Sequence, residues 1–187
     1  MMRWIIFLSL VGLTAASIYV LKHPEIVTRH AGKTAAQPST VINEKRVYIK
    51  LYFADTQSDS LIPESRSVIF HEGDTTGNVK KIIKELIKGP KTTLIQTIPR
   101  GTALQGIALQ GTTLVVLDFS PELAGNHPGG SLAEMQTIYS IVNSVLFAIP
   151  SLKEVQILVD GQSKETLKGH IDLRVPLKAN SSLINKG

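Results

Sequence analysis

Two carboxylates near the middle of the chain have a spacing that acid–base chemistry could use. Asp118 and Glu122 stand four residues apart, separated by Phe-Ser-Pro, and they follow an apolar run. In many hydrolases one carboxylic acid protonates the leaving group while a second carboxylate activates water or attacks the substrate. The pair therefore indicates one alternative function, a hydrolase that acts through Asp118 and Glu122. Sequence spacing alone does not bring the two side chains together.

A glycine-rich turn is the second feature with possible chemistry. Gly129-Gly130-Ser131 opens a predicted helix, and the free backbone N–H groups of a helix start can hold an anion. This indicates another alternative, a receptor for a small anion. The turn lacks the Lys followed by Ser or Thr that a P-loop needs, so we expect no nucleotide. Ser131 and Glu134 also have the spacing of a capping box.

Metal ligands and reactive thiols are scarce in this sequence. It contains no cysteine, which excludes thiolate ligands, disulfides, a cysteine nucleophile and a lipid-modified cysteine. No two of the five histidines have the i, i+3 or i, i+4 spacing that places both on one helical face. A Gly-x-Ser-x-Gly elbow is also missing, which weakens a serine-hydrolase interpretation. We therefore expect no catalytic residue, no cofactor and no metal.

The charge of the chain excludes little. The formal net charge is +5, and aromatic residues make up only 5% of the sequence. Modest positive charge favours solubility or attraction to anionic surfaces, whereas single-stranded nucleic acid is usually bound by a richer set of stacking aromatics. We expect no nucleic-acid partner.

A strand, a helix and a second strand must position the residues with possible chemistry. Leu114 to Leu117, together with Phe119, are apolar on both faces, which is typical of a central strand. Ser131 to Ile149 is a predicted helix without charge from Met135 onward, and Val155 to Val159 is a further strand. This order predicts two parallel strands joined by a crossover helix.

The preceding part of the chain predicts a strand hairpin and an amphipathic helix. Alternation from Arg46 to Phe53 predicts a strand, with Ser65 to Phe70 as its partner. Apolar residues at helical spacing then predict a helix at residues 76–88. The predicted fold class is α+β, a two-layer sandwich in which one mixed sheet carries the helices 76–88 and 131–149 on one face. Tyr48, Lys50 and Tyr52 fall on the opposite face of the first strand and are candidate partner contacts.

The N-terminal segment predicts export. Residues 1–22 carry an uncharged stretch close to the roughly 20 residues that span a bilayer, and we interpret them as a signal anchor, although Thr14-Ala15-Ala16 would also suit a cleaved signal peptide. Residues 23–45 are a predicted flexible linker. The folded domain is expected at 46–177, followed by a disordered tail at 178–187. The domain is thus expected outside the cytoplasmic membrane, in the periplasmic or other extracytoplasmic space.

Several motifs in order resemble the GerMN domain family of sporulation and germination proteins. They are the strand Val47 to Phe53, the helix end Leu86-Ile87-Lys88-Gly89-Pro90, Ile98 to Thr102, Val116 to Leu123, Gly129-Gly130-Ser131, Val155 to Gly161, Leu167 to Asp172 and Val175-Pro176-Leu177. The resemblance covers residues 46–177. It implies an α+β domain similar to ring-building modules, carried outside the membrane, with a protein-binding or assembly role and no known catalytic residues.

Together these patterns predict a membrane-tethered, exported and non-catalytic GerMN domain protein. Its expected partner is another protein of the bacterial cell envelope or a second copy of the chain. The alternatives are an envelope hydrolase that uses Asp118 and Glu122, and a small-anion receptor at Gly129-Gly130-Ser131.

Overall fold

The structure is a computed structural model that describes residues 43–185. These residues lie in the compact unit Ile42–Gly187. The predicted signal anchor at 1–22 and all but the end of the predicted linker at 23–45 lie outside the described residues. Within 43–185 no helix is long and apolar enough to cross a bilayer.

Five strands and three α-helices form the described part of the chain. The strands are β1 Glu44–Ala54, β2 Leu61–His71, β3 Leu104–Gln110, β4 Leu114–Phe119 and β5 Glu154–Val159. The helices are α1 Thr75–Ile87, α2 Glu122–Gly125 and α3 Ser131–Ala148, and a short 3-10 helix follows at Ser181–Leu183. The α+β class is confirmed, and the two long helices match the predicted ones to within a residue or two.

The strands divide into two sheets, whereas the sequence predicted one. β1 and β2 form an antiparallel hairpin, and β3, β4 and β5 form a second sheet with β4 at its centre. The physical reason lies at the outer edge of β1, where α3 takes the place of a further strand. There the backbone N–H of Tyr52 donates to the Ser144 hydroxyl of α3 at 3.1 Å.

The second sheet confirms the predicted crossover. β4 and β5 are parallel, with Val115 opposite Val155, and α3 lies between them in the chain. β3 pairs with β4 as the predicted antiparallel hairpin, with an irregularity between Leu104 and Gly106. Val115, Leu117 and Phe119 of β4 are fully buried, as the sequence predicted for a central strand.

One hydrophobic core joins both sheets and both long helices. It includes Phe53 of β1, Ile82 of α1, Leu117 of β4, Ile141 of α3 and Ile157 of β5. Burial of such side chains is worth roughly 1.5–3 kcal/mol each, so this cluster supplies most of the driving force for folding.

The tail was predicted to be disordered, but from Lys178 to Asn185 it lies against the domain. The side-chain amide of Asn143 donates to the Asn180 carbonyl at 2.9 Å, and its oxygen accepts from the Asn180 N–H at 2.9 Å. Farther on, the Asn185 N–H donates to the Leu61 carbonyl at 3.0 Å. A polar residue inside α3 therefore holds the tail against the domain.

Candidate functional site

The three predicted contact residues of β1 do not share one environment. Tyr48 is 79% exposed and Lys50 is exposed, whereas Tyr52 is only 5% exposed. The Tyr52 ring packs against Phe147 of α3, with 5.8 Å between ring centroids, and burial raises the pKa of its phenol. Tyr48 and Lys50 are therefore available to a partner, while Tyr52 belongs to the junction between strand and helix.

A groove lies beside the exposed part of β1. It has a volume of about 320 Å³ and runs between Val47–Lys50 of β1, Phe70 of β2 and the last residues of α3, Phe147 and Ala148. Phe147 is 44% exposed although it is a large apolar side chain. Exposed aromatic residues next to a concave apolar surface are typical of contact sites in protein complexes. We call this surface the β1 groove.

The two candidate catalytic carboxylates serve different turns. An oxygen of Asp118 accepts from the Gly161 N–H at 2.9 Å, which holds the turn after β5 against the end of β4. Glu122 begins α2, where a hydrogen bond from the Ser120 hydroxyl holds the pKa of its carboxyl below the ordinary range. A general acid needs a raised pKa, so Glu122 is shifted in the opposite direction. Within residues 43–185 no hydrogen bond joins the two carboxylates to a common partner.

The glycine-rich turn before α3 is organised by a buried histidine. The Gly129 N–H donates to Nδ1 of His127 at 3.0 Å, and Nε2 of His127 lies 3.1 Å from the Thr137 hydroxyl. Because that hydroxyl itself donates to the Thr97 carbonyl at 2.6 Å, Nε2 must carry the hydrogen and the ring is neutral. Burial also lowers the pKa of His127, against smaller opposing effects of Ala133 and Glu134. The Gly129 N–H is thus occupied and not free for an anion.

The predicted capping box at Ser131 and Glu134 is not formed. Gly130 is the N-cap of α3, at a φ of 85°, and no side chain caps the helix start. A positive φ suits glycine because it has no Cβ. The Glu134 carboxylate is fully buried and instead accepts from three backbone N–H groups of a distant loop, those of Leu167, His170 and Ile171. The structure therefore directs this carboxylate to tertiary contacts and not to the start of its own helix.

Apart from Glu134, which was assigned to a capping box, the buried polar residues of α3 were missed by sequence reasoning because the helix has almost no charge. Glu134, Thr137, Ser140, Asn143 and Ser144 are all buried. Ser140 contacts the Thr97 hydroxyl at 2.6 Å, and the other four bind loops or β1 as described above. Steps of three residues from Glu134 to Asn143 turn gradually through about half of the helix circumference, so no single helical stripe marked these residues in the sequence.

No group of three or more histidine, aspartate or glutamate residues within 43–185 has a geometry that would hold a metal ion. Several of the described acidic residues instead bind backbone N–H groups or cationic side chains of the same domain, among them Glu64, Asp118 and Glu134. The largest such cluster joins Glu64 to Arg66, Thr92 and the Lys91 N–H. The arrangement as a whole offers a contact surface on β1 and buried polar groups that hold loops.

Three solved structures of similar fold come from two bacteria. A Clostridium perfringens protein described as a lipoprotein gives a TM-score of 0.51 at 24% identity, over 74% of this chain and 93% of that chain. The tandem GerMN domains of the sporulation protein GerM from Bacillus subtilis give a TM-score of 0.52 at 19% identity, over 82% of this chain and 51% of that chain. The first of those GerMN domains alone gives a TM-score of 0.51 at 13% identity, over 73% of this chain and 98% of that chain. These likenesses show the fold, and this chain spans about half the length of the tandem GerM structure.

The sequence itself matches one family. No curated protein matches the chain. The sequence profile of the Germane family, which is described as sporulation and spore germination, matches residues 50–165. That range covers more than half of the 187 residues and includes the end of β1 and all of β2 to β5. The chain therefore belongs to the Germane family, the GerMN domain family of sporulation and germination proteins that its sequence motifs predicted.

Proposed function

We propose that this chain is a non-catalytic module that binds a protein of the bacterial cell envelope. Its N-terminal segment would hold it in the cytoplasmic membrane, and its Germane domain would lie on the extracytoplasmic side. The process served in relatives is sporulation and spore germination, as the family description states. Assembly of an envelope complex is the role that best suits a domain with a contact surface and no convergent chemistry.

The β1 groove is the observation that carries this proposal. Tyr48 is 79% exposed beside Phe147, which is 44% exposed, and both line the same groove of about 320 Å³. Leaving such apolar area in water is unfavourable by about 25 cal/mol per Å², so binding a partner would recover that free energy. Tyrosine is also among the residues that most often dominate binding energies at protein interfaces.

Two further observations support a binding role over catalysis. The hydrogen bonds of Asp118 and Glu122 go to different residues, and the pKa of Glu122 is lowered, which disfavours the general acid that the hydrolase alternative requires. At the helix start, His127 takes the Gly129 N–H and the Glu134 carboxylate lies in the first turn, which disfavours a second anion there. The membrane tether rests on the uncharged run from Trp4 to Leu21.

Site-specific photo-crosslinking tests the binding role. The full-length chain would carry p-benzoylphenylalanine in place of Tyr48, or in place of Leu109 on β3 as a matched control, since Leu109 is also exposed. After irradiation of intact cells and gentle solubilisation of the membranes, we expect a defined adduct with an envelope protein from position 48 only. Adducts of equal yield from both positions, or none from either, would contradict the proposal.

Protease accessibility tests the proposed location. A C-terminal tag on the full-length chain should be degraded when protease is added to spheroplasts, and the protein should fractionate with membranes. A tag that stays protected in intact spheroplasts and becomes sensitive only after lysis would place the domain on the cytoplasmic side.

A further inference from the structure

We infer that the outer edge of β1, from Arg46 to Lys50, binds an extended acidic segment of the partner protein as an added β-strand. This inference rests on the proposed binding function and specifies its mode. In β-strand addition, backbone hydrogen bonds to an exposed sheet edge provide affinity, and pockets for alternate side chains provide specificity.

The hydrogen bonds of the hairpin show which residues of β1 face outward. At one end of the ladder the Glu72 N–H donates to the Asn43 carbonyl at 3.1 Å, and at the other the Asp55 N–H donates to the Ser60 carbonyl at 3.0 Å. The register between these ends is continuous. Hydrogen-bonded residues alternate in an antiparallel pair, so the odd-numbered residues of β1 bond to β2. The even-numbered residues therefore direct their N–H and C=O groups to the outer edge.

The part of this outer edge next to the turn between β1 and β2 already has partners. Ala54 exchanges hydrogen bonds with Ile95, with N···O distances of 3.1 and 2.9 Å. The next outward residue, Tyr52, donates its N–H to the Ser144 hydroxyl of α3. These two contacts independently confirm that even-numbered residues of β1 point outward.

The earlier part of the edge, at Tyr48 and Lys50, is open. Among residues 43–185, no hydrogen bond is found for the outward N–H and C=O groups of Lys50 and Tyr48. The helix that covers the edge at Tyr52 ends at Ala148, and its last residues line the β1 groove beside Val47–Lys50. An exposed row of unpaired backbone groups is a ready template for another strand. Here an apolar groove adjoins that row, so an added strand would find a site for its apolar side chains.

Charge selects the chemistry of the occupant. Lys45, Arg46 and Lys50 are exposed on β1, and no ion pair within 43–185 involves them. An acidic segment would place carboxylates against these cations. A second copy of β1, paired antiparallel about Tyr48, would set Arg46 opposite Lys50, and like charges directly opposite each other destabilise a sheet. The partner is therefore an extended segment in which acidic and apolar residues alternate.

Two substitutions at one position separate backbone pairing from charge. Lys50→Pro removes the outward N–H, and it spares the ladder with β2 because that N–H takes no part in it. Lys50→Ala removes the same charge but keeps the N–H. Thermal unfolding of both full-length variants should stay close to that of the wild-type chain, which shows that any binding defect of Lys50→Pro does not come from misfolding.

The first test uses a short peptide of alternating valine and glutamate, with the full-length protein in detergent micelles. Hydrogen exchange measured by mass spectrometry should show new protection at residues 46–50. We expect Lys50→Ala to lower the affinity for the peptide about two- to fivefold and Lys50→Pro to lower that affinity about tenfold or more. A valine–lysine peptide and an N-methylated valine–glutamate peptide should give no protection. If the N-methylated peptide protects the segment equally, or the unmodified peptide gives no protection at millimolar concentration, strand addition is wrong.

The second test uses the photo-crosslink at position 48 in cells. Loss of the adduct in Lys50→Pro and its retention in Lys50→Ala would support the added strand. Retention in both variants would overturn this inference and leave the proposed binding function intact. Absence of the adduct from the chain that carries only the photo-crosslinker would instead contradict the proposed function. The peptide test alone would then decide whether the edge of β1 accepts an added strand. An adduct between two copies of this chain would overturn the acidic partner as the occupant.

Discussion

The carboxylate of Glu134, in the first turn of α3, accepts a hydrogen bond of 3.0 Å from the backbone N–H of Leu167. The same carboxylate accepts from the N–H groups of His170 at 3.1 Å and Ile171 at 3.3 Å. A single buried side chain thus fixes a loop that follows β5. Because buried N–H groups without a partner are costly, this carboxylate is a structural requirement of the domain.

Replacement of Glu134 by glutamine should destabilise the domain by about 2–3 kcal/mol, since hydrogen bonds to a charged group are worth roughly 1.5–3 kcal/mol. The amide also turns donors toward N–H groups that need acceptors. Urea unfolding of the full-length chain measures the change, and hydrogen exchange should quicken at residues 167–171. Glu165→Gln is the control, because Glu165 is exposed and only pairs with Arg174 at 3.7 Å. Equal losses in both variants would show that Glu134 does not hold the loop.

Replacement of Arg66 by methionine should cost about 3–5 kcal/mol, the usual result of breaking a buried ion pair by removing one partner. Arg66 is buried and donates to Glu64 at 2.7 Å and to the Gly89 carbonyl at 3.0 Å. The control is Arg174→Met, which removes an arginine that pairs with Asp172 in solvent. Denaturant unfolding should show a much smaller effect for the control. Similar effects would mean that burial does not strengthen the Arg66 contacts.

The stability of the domain should fall as the pH is lowered through 6.5, the ordinary pKa of histidine. Burial lowers the pKa of His127 in the folded state, so the unfolded chain binds a proton at a higher pH than the folded chain does. This proton binding stabilises the unfolded chain relative to the folded one. The loss continues until the pH reaches the folded-state pKa. Unfolding free energies between pH 7.5 and 5.5 should therefore decline more steeply for the wild-type chain than for His127→Gln. His170→Gln, at an exposed position, should keep the wild-type slope.

Truncation after Leu177 should cost about 1–3 kcal/mol, because the buried side chain of Asn143 would lose both bonds to Asn180. Truncation after Asn185 keeps those bonds and is the matched control. Thermal unfolding of the two shortened chains measures the difference. If both shortened proteins unfold at the wild-type temperature, the tail does not contribute to stability.

The double replacement Asp118→Asn and Glu122→Gln should leave the biological role intact if the chain is not a hydrolase. Both side chains keep their size, and the amide oxygen introduced at position 118 can still accept from the Gly161 N–H. The variant should complement a deletion strain and should keep the photo-crosslink from position 48. Failure to complement, with the fold and the crosslink preserved, would favour the hydrolase alternative.

Local patterns in the sequence were sufficient for most of the secondary structure. The stripe of apolar residues predicted α1, the uncharged run predicted α3, and alternation predicted β1, because these features depend on backbone periods of 3.6 and 2 residues. The order of strand, helix and strand also predicted the parallel pairing of β4 and β5. The separation of β1 and β2 from the other strands was not predictable from these patterns, because it depends on which element reaches the edge of β1.

The candidate surface was only partly accessible to sequence reasoning. Alternation placed Tyr48, Lys50 and Tyr52 on one side of β1, and the first two are exposed. Tyr52 is buried because Phe147, nearly a hundred residues later in the chain, packs against its ring. The groove and the open backbone edge arise from the point at which α3 ends relative to β1, which no local pattern records.

Residue types and short-range spacing were enough to predict the family, the α+β class, the long helices and strands, and the absence of cysteine chemistry. The partners of the polar side chains, in contrast, depend on how the chain packs in three dimensions. Glu134 has the spacing of a capping residue but binds Leu167, and Asn143 lies in an apolar helix but holds Asn180. A buried polar group must find a partner, and in a folded chain the nearest partner in space is set by packing and not by sequence distance.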